Sequence, residues 1–164
     1  MSKTYIGIDN GVTGTIAIIN EAGNLVFFDK IPVKVEQSYT KAKQNISRIV
    51  APELQFILEE NVSNPLNCYC LIERPMINPT RWKASMSGIR ALEATLTVLE
   101  LLGIPYGYID SREWQKALLP SGLEKEELKK ASLDIGTRLF PNVKLKHPDR
   151  DGLLICEHAR RKNL

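Results

Sequence analysis

No stretch of this sequence approaches the roughly 18 consecutive apolar residues of a membrane span, and it opens on a strand-like run, not a signal peptide. Cysteine is scarce. Cys68, Cys70 and Cys156 make an odd count in a chain that is not cysteine-dense, which argues against a disulfide framework. Cys68 and Cys70 fall in an apolar run, share one face of a strand and read as small buried side chains; a zinc site needs more ligands at better spacing. Internal repeats and low-complexity segments are absent. So is a strong charge of one sign: 22 Lys and Arg against 19 Asp and Glu leave a net charge of +3, with a pI near 8.7. That balance permits a nucleic-acid partner without requiring one, so the location of the basic residues matters more than their sum. These absences point to a soluble protein of a reducing cytoplasm, with no membrane partner.

What remains is an ordinary globular composition, 43% hydrophobic and 25% charged over 164 residues, which suits a single domain spanning 1–164. Thr4 to Asp9 is apolar at almost every position, as in a strand buried on both faces. Asn10-Gly11 and Gly14 mark a tight turn; Thr15 to Ile19 and Leu25 to Lys30 follow as strands around a turn at Glu21–Asn24. Pro32 to Thr40 reads as a loop. Lys41 to Glu60 has helical spacing through Ile46, Ile49, Val50, Leu54, Ile57 and Leu58, with Pro52 kinking or interrupting it. Cys68 to Glu73 is a continuous apolar strand, Arg74 to Lys83 a loop, and Ser85 to Leu102 a long helix capped by Gly103. Pro105 to Ile109 is a fifth strand. Helices over Ser111–Leu118, Glu124–Phe140 and Pro148–Lys162 complete the chain. The order βββ-α-β-α-β-ααα predicts an α/β fold: a five-stranded mixed sheet, a three-strand antiparallel meander plus parallel strands, flanked by helices.

Three acidic residues stand out by position. Asp9 ends the first strand and Glu73 the fourth; Asp151 lies near the start of the last helix. If the first and fourth strands are parallel neighbours, Asp9 and Glu73 emerge together at their carboxyl ends, where ligands bind in open α/β sheets. A helix N-terminus then brings Asp151 beside them. Singly, each has a structural explanation as a turn, cap or helix-terminus residue; all three converging does not. Clustered carboxylates repel unless a cation sits among them, and hard oxygen donors suit Mg²⁺ or Mn²⁺. Two such ions about 3.5–4 Å apart serve phosphodiester cleavage. His147, four residues before Asp151, is either a loop residue or a fourth ligand or base, and Asp149 competes for that role.

Here the sequence resembles a known family. Gly7-Ile8-Asp9-Asn10-Gly11 with Gly14-Thr15-Ile16-Ala17, then Ile72-Glu73-Arg74-Pro75-Met76, then Asp151-Gly152-Leu153-Leu154-Ile155-Cys156 resemble, in order, the motifs of the RuvC-type Holliday junction resolvases. Glu113-Trp114-Gln115-Lys116 and Leu139-Phe140-Pro141 match the divergent branch found in phages and some bacterial genomes. The resemblance implies an RNase H-like fold and a homodimer making paired nicks in four-way DNA junctions, in a bacterial or phage-infected cytoplasm. It implies metal ligation by Asp9, Glu73 and Asp151. The family commonly has its fourth ligand three residues before the last Asp. That position is Pro148 here, so His147 or Asp149 substitutes. The family's wedge aromatic, three residues after the Glu, is replaced by Met76; an apolar wedge still unstacks bases. Lys116 and Lys125 fall where the family uses basic residues near its site, Lys125 being the stronger candidate for catalysis.

Basic residues gather around the proposed site: Arg74, Arg81, Lys83 and Arg90 after Glu73, and Lys144, Lys146 and Arg150 before Asp151. Phosphates need such charges, though many also suit a solvated surface. Trp82 is available to stack on a base or to pack its loop. The Ser85–Leu102 helix is apolar on more than one side, from burial against the sheet or from pairing with a second subunit. Other functions compatible with these motifs are a broader branch or flap nuclease, an RNase H on the same fold, a catalytically dead DNA-binding module, and an actin-like or sugar-kinase ATPase. The last needs two large domains, for which 164 residues is short. A branch-migration helicase as partner cannot be inferred from the sequence.

Overall fold

A computed structural model describes residues 3–141 and 148–164. The elements run β1 (Thr4–Ile8), β2 (Thr15–Asn20), β3 (Leu25–Lys30), β4 (Val33–Gln37), β5 (Asn45–Ile49), α1 (Ala51–Asn61), β6 (Cys68–Glu73), α2 (Trp82–Leu102), β7 (Tyr106–Ile109), α3 (Ser111–Leu118), α4 (Lys125–Leu139) and α5 (Asp151–Lys162). The main sheet has the order β3-β2-β1-β6-β7. β1 pairs antiparallel with β2 and parallel with β6, and β6 pairs parallel with β7. This is the expected mixed five-stranded sheet.

Strand alternation divides the core in two. Ile6 and Ile8 of β1, Ile16 and Ile18 of β2, and Cys68, Cys70 and Ile72 of β6 face one apolar cluster with α1 and α2. Tyr5, Ala17, Ile19 and Leu71 face the other, with Trp114 and the apolar side chains of α5. Side chains two residues apart share a face, so Asp9 continues the Tyr5–Gly7 row and Glu73 the Tyr69–Leu71 row, both on the α5 side. Ile8 pairs with Ile72, which puts Asp9 and Glu73 one step beyond, next to each other at the carboxyl ends of parallel neighbours.

α5 lies directly on that face, and two glycines let it. A Cβ on Gly7 would stand 2.2 Å from the Cys156 backbone N and 2.3 Å from the Gly152 carbonyl O; one on Gly152 would stand 2.4 Å from the Thr15 O. No side chain larger than hydrogen fits at either contact. Gly152 N–H donates to the buried Thr15 Oγ1 at 3.1 Å, and Thr15 O accepts from Asp9 N–H at 3.0 Å. One threonine thus ties the start of α5 to the end of β1.

Between residues 32 and 60 the structure departs from the expected loop and helix. Val33–Gln37 and Asn45–Ile49, expected as loop and first half of a helix, form an antiparallel two-stranded sheet. α1 begins only at Ala51, so Pro52 lies in its first turn, where the missing N–H costs nothing, and kinks no helix. Ile46 and Ile49 fit a helical period and a strand equally over so short a run; pairing with β4 decides it. Gly103 caps α2 with φ 67°, as expected. All three cysteines are free and buried. Among the described residues no helix is long and apolar enough to cross a membrane.

Candidate metal and nucleic-acid site

At the carboxyl rim of β1 and β6, the structure gathers carboxylates from three distant segments. One oxygen each of Asp9, Asp149 and Asp151 lies within 4.8 Å of the others. Glu73 adjoins this trio and raises the pKa of Asp9, but its oxygens fall outside that limit. Asp149 is the residue that joins Asp9 and Asp151; the competing candidate, His147, lies outside the described residues, as does Lys146. Asp149 also lies just before α5, its Oδ1 accepting from Asp151 N–H at 2.9 Å. The start of a helix favours both carboxylates.

Burial and mutual repulsion raise the carboxyls of this site. Burial, then the charges of Asp149, Glu73 and Asp151, push Asp9 up to about 8. Glu73 is raised by burial, against the opposing effect of a hydrogen bond from Trp114 Nε1–H to its Oε2 at 2.6 Å. Asp151 is raised by burial too, opposed by the Ser132 hydroxyl, which donates to its Oδ1 at 2.6 Å, and by Lys129. The donor set is all oxygen. Ligands around one Mg²⁺, each at about 2.1 Å, stand up to about 4.2 Å apart, so the trio needs little closure to hold a small divalent cation.

Two cavities flank Asp151. One of about 390 Å³ is lined by Lys129, Lys130, Asp149 and Asp151 among others. The other, about 200 Å³, is lined by Trp114, Gln115, Lys125, Lys129, Ser132 and Asp151. Lys125 therefore shares a cavity with Asp151, but Lys129, not among the expected residues, lines both. Its signal was faint: one more lysine on a polar helix. Ser132 had none. Trp114 did have one, as the one aromatic residue of the Ser111–Leu118 helix.

The other expected residues scatter. Arg74 is exposed beside Glu73, ion-paired with Asp110 at 2.9 Å and 5.6 Å from the Tyr108 ring centroid. Met76 is 80% exposed and Trp82 65%. Arg81 and Lys83 are exposed at the start of α2, and Lys116 is exposed in the last turn of α3. Arg150, expected as a phosphate contact, is buried. It is only 6% exposed, its guanidinium lies 5.4 Å from the Phe28 ring centroid, and its stem lies against Gly136, where a Cβ would meet it at 2.8 Å. The Arg150 side chain serves packing between α4, β3 and the start of α5.

No protein-family model matches the chain, and no curated protein matches it. Solved structures do. The chain is similar to T. thermophilus RuvC in complex with a Holliday junction substrate, with a TM-score of 0.65 and 15% identity over 98% of this chain and 95% of that one. It is also similar to another Thermus thermophilus RuvC structure, with a TM-score of 0.55 and 16% identity over the same shares. At such identity the likeness carries the architecture: this chain has the RNase H-like fold of the RuvC structures.

Proposed function

We propose that this protein is a structure-selective endonuclease that resolves four-way DNA junctions, a single nuclease domain acting as a homodimer. The observation that carries the reading is the meeting of Asp9, Asp149 and Asp151 at one rim with Glu73 adjoining, on a fold shared with a protein solved on a Holliday junction. Asp9, Glu73 and Asp151 would hold the cations, Mg²⁺ with Mn²⁺ as substitute. Asp149 takes the fourth place, for which His147 is the alternative. Bound there, two divalent ions would activate a water and stabilise the departing oxygen of a phosphodiester.

The chain's own residues supply the rest. Lys125 and Lys129 line the same cavity as Asp151 and put positive charge beside the phosphate under attack. Arg74, Arg81 and Lys83, with Lys116 and Lys146, hold flanking phosphates and make binding salt-dependent. Met76, held out in solvent three residues after Glu73, enters the base stack at the crossover. Two copies related by a two-fold axis present two sites to two strands of a junction with the same symmetry.

The test is incubation with a synthetic four-way junction in Mg²⁺, beside replication forks, flaps and RNA–DNA hybrids. The wild type should nick opposing strands of the junction in preference to the rest. Asp9→Asn and Glu73→Gln should bind without cutting. Equal cutting by these variants refutes the site, and preference for a flap or hybrid replaces the substrate. Light scattering on the eluting protein reads the dimer.

A further inference from the structure

Trp114 is fully buried, and an indole N–H is a donor that must find an acceptor when buried. Its acceptor is Oε2 of Glu73, at 2.6 Å. Ser132, buried on α4, repeats the arrangement, its hydroxyl donating to Asp151 Oδ1 at the same distance. Short bonds to a carboxylate are the strong kind. Each donor stands on a helix packed around α5, and each engages one oxygen and leaves the other. Among the described residues, no donor engages the side chain of Asp9.

We propose that Trp114 and Ser132 are positioning residues that hold Glu73 and Asp151 as one-oxygen ligands, and so set the site's preference for a small octahedral cation over a larger one. The inference rests on the metal-dependent reading above. Mg²⁺ demands near-ideal octahedral geometry at about 2.1 Å and takes single oxygens, keeping several waters. Ca²⁺, at about 2.3–2.6 Å, accepts six to eight ligands and welcomes both oxygens of one carboxylate. A carboxylate with one oxygen held by a buried N–H or O–H is fixed in orientation, and turning it to chelate through both oxygens strains or breaks that bond. Releasing that oxygen removes a restraint that favours Mg²⁺ and opens a mode that favours Ca²⁺.

Calorimetric titration of the DNA-free protein with MgCl₂ and with CaCl₂ tests this on wild type, Trp114→Phe and Ser132→Ala. Loss of a residue that orients a metal ligand typically weakens affinity by about 10–100-fold. That loss is expected for Mg²⁺, while Ca²⁺ affinity falls less or rises, so the Ca²⁺-to-Mg²⁺ affinity ratio climbs by about tenfold or more. Ser132→Thr, which keeps the hydroxyl, should retain the wild-type ratio. Should Trp114→Phe fail to fold, the Ser132 pair still decides the matter, since it changes a side chain by one small group. In a Trp82→Phe background Trp114 is the only indole, and saturable quenching of its emission by Mn²⁺ should follow the calorimetric curve. Unchanged affinities, or an equal fall for both ions, overturn the proposal while leaving the nuclease reading in place. A wild type that binds neither ion overturns the nuclease reading, and this inference with it.

Discussion

Asp9→Asn keeps the shape of a protonated Asp9 and removes its charge. In the metal-free protein burial, Asp149, Glu73 and Asp151 move this carboxyl from 3.8 to about 8. Between those values the native state holds a proton that the unfolded chain releases. Stability linked to Asp9 is therefore complete below about pH 4 and declines as pH rises, until the native group also ionises near pH 8. At about 1.36 kcal/mol per unit, the three units up to pH 7 set an upper limit of about 4 kcal/mol. Side-chain relaxation and entering water return part of this, leaving roughly 2–4 kcal/mol. For a chain of this size that is roughly 4–16 °C in Tm. Thermal melts in EDTA from pH 4.5 to 8.5 read it directly. The wild type should lose stability with rising pH, and Asp9→Asn should lose less, so that the curves converge near pH 4.5 and separate above. Mg²⁺ should stabilise the wild type more at pH 8 than at pH 5, by binding the native state alone. Parallel curves, with the variant no more stable at pH 8, would refute the electrostatic account of the site.

Four further outcomes follow from the packing and exposure. Gly7→Ala drives a Cβ into the backbone of α5 at 2.2 Å, and urea melts should show a loss of roughly 3 kcal/mol or more. Gly107→Ala meets only the Tyr69 hydroxyl, also at 2.2 Å, at the end of a side chain that can move, and should cost well under half as much. Burial pushes Cys68 up to about 11 and raises Cys70 and Cys156 as well, so a thiol reagent at pH 8 should label native protein hardly at all and all three after denaturation. Met76→Ala should leave the melting curve within about 0.5 kcal/mol of wild type, yet lower junction cleavage about tenfold, as expected from losing a wedge worth about 1–2 kcal/mol of unstacking. Unchanged cleavage would remove Met76 from the interface.

The parts of the fold legible in the sequence were those with one dominant period. β1 and β6 are apolar on both faces, and only a central position explains that. Their terminal acids share a rim because parallel register and alternation leave no other place for them. The hairpin of β4 and β5 was not legible, because Asn45–Ile49 carries too few apolar residues to separate a period of two from one of 3.6, and its partner strand is mostly exposed. The join between Asp149 and the site depends on how α5 starts, which rests on glycine contacts 145 residues apart in sequence (Gly7 and Gly152). Trp114 was visible as a motif residue, but its hydrogen bond to Glu73 depends on how α3 docks. The burial of Arg150 was not legible, because local charge carries no information about which way a side chain turns.

The seating of α5 on Gly7 has a temporal consequence. Half of the acidic rim comes from β1 and β6, and the other half arrives later in synthesis, with the start of α5. A chain still emerging from the ribosome, or one clipped before residue 149, carries Asp9 and Glu73 without Asp149 and Asp151. The set of four carboxylates is therefore incomplete until α5 has docked against β1.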